Sequence, residues 1–225
     1  QLTGAPNAKK ATISGNALEG GFAAAAGVTE WLFSGNVISG DVVAGAEFEL
    51  VGNVVSGSVS GGAGCTLSDN QIESGVAASS GWTLTGNQVT GPVNGQGNCE
   101  LTGNVIVGPV TGQSGWVATG NTITGNISGQ NDWNLDGNII FGDVSGTQDS
   151  WDLTRNVVHG SISGRHSWAL GVNVVFGKIT GKTKWSLGNN SVFSPFLATG
   201  ALVTMQGPNW GLVNNVFVWS GPIST

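Results

Sequence analysis

Apolar side chains along this chain come in short alternating bursts broken by glycine, and the whole pattern repeats every 17 residues. WTLTGNQVTGPVNGQGN from Trp82, CELTGNVIVGPVTGQSG from Cys99 and WVATGNTITGNISGQND from Trp116 superpose without a gap. The series continues from Trp133 (18 residues), Trp151 and Trp168. Earlier copies start at Trp31, Phe48 and Cys65, longer divergent ones at Ala11 and Trp185, and a partial last copy at Trp210. A period this short cannot hold a helical hairpin, and each copy reads as three short β-branched strands punctuated by glycine. The pattern therefore predicts an all-β protein, a single parallel β-helix (β-solenoid) of about 12 coils with internal asparagine and tryptophan ladders. One domain is expected over residues 1–225, with an irregular N-terminal coil and cap in 1–30, regular coils in 31–193, and an irregular insertion and cap in 194–225.

With the tryptophan taken as position 1, strand alternation turns positions 1, 3, 8 and 12 inward and positions 2, 4, 7, 9, 11 and 13 outward. Glycine at 5, 10 and 14 is expected to turn the corners. Position 6 carries asparagine from Asn36 through Asn53, Asn70, Asn87, Asn104, Asn121, Asn138, Asn156, Asn173 and Asn190 to Asn215. Stacked about 4.8 Å apart, these amides can bond to one another and to the turn backbone, satisfying groups that are costly to bury. A row of outward, ligand-binding asparagines is the competing reading. Where tryptophan is absent, position 1 holds Ala11, Phe48, Cys65 and Cys99, all residue types common in cores, so the column is read as buried. An exposed aromatic ladder stacking on sugar rings is the alternative.

Cys65 and Cys99 lie two coils apart in that column, a separation of roughly 9.5 Å that no disulfide spans, so both are expected as free core thiols. The segment from Gly21 to Val28 enlarges an early coil and is expected as a short helix or plug. Ser194 to Asn209, with its apolar run from Phe196 to Met205, is expected to cap the other end.

Charge changes the picture mainly by exclusion. Only 9% of residues are charged, and 13 acidic and 7 basic residues give a net charge of −6 with no block of like sign. A nucleic-acid partner would require a cationic stripe, and a membrane span a far longer apolar run, so neither is expected. The 39 glycines read as tight turns rather than disorder, since disordered chains are rich in charge and poor in apolar groups.

Glu49, Glu100, Asp136 and Asp152 share an outer face at positions 2 and 4, on separate coils and without a basic partner. That arrangement argues for solubility rather than for paired-carboxylate catalysis. His159 and His166 fall at positions 9 and 16, without the spacing of a metal pair, and are read as solvated. No enzymatic activity, metal or cofactor is expected. Asn126 and Asn189 match the glycosylation acceptor pattern and point to a secreted chain. Gln1 opens it with neither a charged nor an apolar leader region, so any signal peptide is expected to have been removed.

The candidate site is the outward lattice at positions 7 and 9: Val37 and Ser39, Val54 and Ser56, Thr90, Val105 and Val107, Thr122 and Thr124, Ile139, Val157 and Val174. Such a face repeats about 4.8 Å along the axis and about 6.6 Å along each strand. Gln71, Glu73, Phe141 and Phe176 interrupt it, and positions 4 and 13, with Thr85, Thr102, Thr119, Thr111 and Ser128, are alternative flat columns.

NVISG from Asn36, NVVSG from Asn53, NQVTG from Asn87, NTITG from Asn121 and NVVHG from Asn156 share an Asn-x-Val/Ile-x-Gly motif. The motif resembles the repeat of the grass-type ice-binding β-solenoids, over roughly five residues in each of eight coils. The resemblance implies an antifreeze protein whose partner is an ice crystal surface, bound through the lattice residues. Two other classes stay open: a structural or adhesive solenoid using the apolar strip with Phe141, Phe176 and Phe193, and a carbohydrate-binding module using the tryptophans. A monomer is expected, with end-to-end or face-to-face association as the alternative.

Overall fold

A computed structural model describes residues 2–3, 11–24, 28–193 and 203–218. Among these residues three parallel sheets of twelve strands each run along the molecule, and each strand pairs with its equivalents in the coils before and after. In one coil the strands are Thr83–Thr85, Gln88–Val89 and Val93–Gly95. They pair in register with Glu100–Thr102, Val105–Ile106 and Val110–Gly112, each 17 residues on. The sheets are called first, second and third in that order. The chain is thus the expected β-solenoid, and the extra residue of the coil from Trp133 is absorbed between Gly146 and Trp151, after the strand register has been kept.

The corners differ from the expectation. Left-handed backbone occurs at position 5, as in Gly35, Gly52 and Gly86, and at position 17, where Glu30, Glu47, Asn98, Asp132 and Lys184 adopt it without being glycine. From the coil of Trp31 to that of Trp168 positions 10 and 14 keep ordinary φ, and glycine fills most of them for room, with Ser74, Ala44 and Ala78 as the exceptions. A Cβ on Gly91 would run into the Ser74 carbonyl, and one on Gly112, Gly129 or Gly181 into the indole of Trp116, Trp133 or Trp185. At position 5 a Cβ on Gly35, Gly103 or Gly120 would meet nothing, so only the backbone angle selects glycine there. That is why Arg155, Val172 and Asn189 can replace it.

The core is continuous. Leu67, Leu101 and Leu135 at position 3, Ile72 and Ile106 at position 8 and Val93 and Val110 at position 12 are sealed from solvent. Trp82, Trp116, Trp133, Trp151, Trp168 and Trp185 are at most 1% exposed, which removes the sugar-stacking reading of that column. From Trp116 to Trp185 the indoles stack nearly parallel, 4.7 to 5.0 Å apart.

The indole N–H of Trp82 donates to the Gly62 carbonyl at 2.5 Å, and that of Trp185 to Arg165 at 2.9 Å, in each case 20 residues back. Cys65 and Cys99 aim their thiols at the equivalent carbonyls of Gly45 and Ser79, both at 3.3 Å. The exchange of tryptophan for cysteine therefore keeps a donor in place. Both thiols are free and buried, and burial pushes their pKa values up.

Between its two end rungs the asparagine ladder leaves none of its own polar groups idle. Asn104 donates from Nδ2 to the Leu84 carbonyl at 2.8 Å and to Asn121 Oδ1 at 2.9 Å, and from its backbone N to the same Oδ1 at 2.8 Å. Its own Oδ1 accepts the backbone N–H of Asn87 at 2.9 Å and its Nδ2 at 3.0 Å. From Asn36 to Asn190 every rung is at most 2% exposed, so the outward-asparagine reading falls. Asn16, missed in the sequence pattern, starts the ladder one coil earlier by donating its backbone N–H to Asn36 Oδ1 at 3.0 Å.

Near the N-terminal end, Phe22–Ala23 is a strand paired with Val42–Val43, not a helix. The Phe22 ring lies 4.6 Å from Phe33 and 5.6 Å from Phe48, plugging the first coils. Residues 25–27 and 194–202, to which the rest of the expected helix and cap belong, lie outside the described residues. Val203–Met205 forms the last strand of the third sheet.

Candidate binding face

The second sheet brings the whole candidate set onto one outer face, because its strands alternate an inward position 8 with outward positions 7 and 9. Val37 pairs with Val54, Val105 with Thr122, and Ile139 with Val157 and then Val174, so the column at position 7 is in register through the molecule. Val37, Val105, Val107 and Ile139 are exposed, as are Ser39, Ser56, Thr90 and Thr124, while Val54, Thr122, Val157 and Val174 are half-buried. Gln71 and Gln88 fill the two rungs between Val54 and Val105. Position 7 carries no charged residue from Ala17 to Val216. From Val37 to Ser191 each of its side chains follows a buried ladder asparagine directly, so its backbone is pinned from behind.

Position 9 is less uniform. His159, expected as a solvated residue, is exposed but sits in a ladder: its ring stacks 4.7 Å from Phe141 and 5.0 Å from Phe176, and Phe176 stacks 5.4 Å from Phe193. The three phenylalanines were expected as one apolar strip, and what the sequence reading missed is that His159 completes the stack between Phe141 and Phe176. The rings cover one another's faces, so the ladder presents ring edges outward rather than a platform for stacking.

The other two faces are chemically distinct. On the first sheet the acidic residues do share a face, but Asp136 has the basic partner that was not foreseen: Arg155, on the next coil, bonds Asp136 Oδ2. Arg155 is largely exposed, so the pair adds little to stability. On the third sheet position 13 is free of charge too and carries hydroxyls in succession, Thr111, Ser128, Ser145, Ser163 and Thr180, with the first two oxygens 3.4 Å apart.

A short second polar ladder turns the corner at position 11. Asn126 Oδ1 accepts the Asp143 backbone N–H at 2.9 Å, and Asp143 Oδ1 accepts that of Ser161 at 2.7 Å. Asp41 likewise accepts the Ser58 backbone N–H at 2.7 Å and hydroxyl at 2.9 Å, and these bonds lower its pKa.

Among the described residues, no three of histidine, cysteine, aspartate and glutamate gather in a way that could hold a metal ion. His166 bonds Thr183 Oγ1 through Nδ1 at 2.5 Å, away from His159. A shallow depression where the second sheet turns into the third, lined by Ser58, Ser74, Val76, Thr90 and Pro92 among others, contains no acid, base or thiol. No helix among the described residues is long and apolar enough to cross a membrane. Compared with known proteins, the chain matches no family model, no curated protein and no solved structure.

Proposed function

We propose that this solenoid is an ice-binding protein and that the outer face of its second sheet, centred on Val105, Val107, Thr122 and Thr124, contacts the ice lattice. The observation that carries the reading is the uncharged column at position 7, held in register by the hydrogen-bonded asparagines behind it. A crystalline ligand offers small gains per contact, so affinity must come from many contacts formed together without ordering cost, and a stiff periodic face supplies them. The Asn-x-Val/Ile-x-Gly resemblance points the same way, and such a protein would act outside the cell.

Thermal hysteresis and inhibition of ice recrystallisation test the reading directly. Thr122→Lys should remove most of the activity while changing folding stability by no more than about 0.5 kcal/mol, because Thr122 lies on the surface. Absence of activity at high micromolar protein would sink the reading. Activity lost in Thr111→Lys and kept in Thr122→Lys would move the face to position 13 of the third sheet.

A structural or adhesive role is the second reading, favoured by the stacked strip Phe141, His159, Phe176 and Phe193. Side-by-side bundles in electron micrographs that disappear in Phe141→Ser/Phe176→Ser would support it over the first.

A further inference from the structure

The two ends of the asparagine ladder are chemically opposite. All along it, Oδ1 of one rung accepts the backbone N–H and Nδ2 of the rung before, so the hydrogen bonds run one way. At the first rung, Asn16 is exposed and its Oδ1 accepts no bond among the described residues. At the last, Asn215 gives one Nδ2 hydrogen to the Leu187 carbonyl at 2.7 Å. Its backbone N–H and second Nδ2 hydrogen have no partner among the described residues. At Asn190 those same two donors bond Asn215 Oδ1 at 3.0 and 2.9 Å. One end offers an acceptor, and the other offers the two donors that fit it.

Two further properties run in the same direction. The C-terminal end is apolar where it should be sealed: Leu212 and Phe217, at inward positions 3 and 8, are 44% and 42% exposed, against 0% for Leu187 and Val192 one coil earlier. Their strands, Gly211–Val213 and Val216–Val218, are the outermost of the first and second sheets, and among the described residues no strand pairs with their outer edges. Charge is also segregated along the axis, although it forms no block in sequence. All 13 acidic residues lie from Glu19 to Asp152, and Arg155, Arg165, Lys178, Lys182 and Lys184 lie beyond them; the remaining basic residues are Lys9 and Lys10.

We propose that the C-terminal end of the solenoid docks the N-terminal coil of a second copy of this chain, so that Asn215 donates to the second copy's Asn16 and the three sheets continue across the junction. The contact is head-to-tail and does not close on itself, so it builds linear oligomers rather than a ring. Attraction between the basic end and the acidic body steers the approach and weakens as salt screens it.

Sedimentation velocity and light scattering across concentration, at low and high ionic strength and without ice, test this. The expected result is a mass that rises with concentration at low salt and falls back as salt is added. Lys182→Glu/Lys184→Glu, two exposed substitutions that leave the core alone, should weaken association by about 10-fold or more. Leu212→Glu/Phe217→Glu should abolish it, with circular dichroism confirming that the remaining coils stay folded. A monomer at every salt concentration up to about 1 mM protein would overturn the proposal. So would oligomers that ignore both end variants and dissolve in Phe141→Ser/Phe176→Ser, since that places the contact on the side of the solenoid.

Discussion

Asn121 and Thr122 are joined by one peptide bond and belong to different regimes. Asn121 stands in an interior column where every coil has the same residue and every amide between the two end rungs is tied to the rungs on both sides. Thr122 stands on the outer face, in a column that passes through valine, glutamine, threonine, isoleucine and serine. Inside, an unpaired polar group has no water to turn to, so the hydrogen-bond pattern dictates one side chain. Outside, a strand asks only for a side chain that suits a pleated, solvated surface, and many do. The difference teaches where selection for folding ends and room for a binding function begins.

That contrast can be broken most sharply by Asn121→Ala. The change takes the acceptor from the Asn104 backbone N–H and from one of its two Nδ2 hydrogens, and removes the amide donor of the Leu101 carbonyl. At about 1–3 kcal/mol for each orphaned group, chemical denaturation should show a loss of at least about 3 kcal/mol, and a loss below about 1 kcal/mol would mean water replaces the rung. Gly129→Ala probes the other interior constraint. Its methyl group would enter the Trp133 indole, and a loss of about 1–3 kcal/mol is expected on the same assay.

Val172→Gly runs in the opposite direction and has the smallest effect. Val172 is 55% exposed and holds a φ of 60°, which a β-branched residue adopts at a cost, so glycine should raise the melting temperature, by up to about 1 kcal/mol of stability. A lower melting temperature would show that the Val172 side chain makes contacts worth more than the strain it carries.

The period, the inward asparagines and the buried tryptophans were legible because each repeats one residue type, or one polarity, at one spacing. Glycine was legible as a column but not in its cause: the left-handed corner at position 17 is held by Glu30, Asn98 and Lys184 as readily as by glycine, whereas at Gly91, Gly112 and Gly129, in positions 10 and 14, it is closeness to a neighbouring residue that selects glycine. Closeness is a three-dimensional quantity that no local pattern carries. The grouping of Val37 through Val174 on one face followed from strand alternation alone. The Phe141–His159–Phe176 stack, the Asp136–Arg155 pair and the Asn126–Asp143–Ser161 corner did not, since each joins unlike residues whose only common property is adjacency once the coil register is known.

The 17-residue register of the coils from Trp31 to Trp133 also makes a coil there an exchangeable part. Removing Cys99 to Gly115 would join Asn98 to Trp116 and set Asn87 directly against Asn121, with every column intact. Unequal recombination within the gene can therefore lengthen or shorten the protein by whole steps. The area of the outer face becomes a heritable quantity that varies without the fold being reinvented.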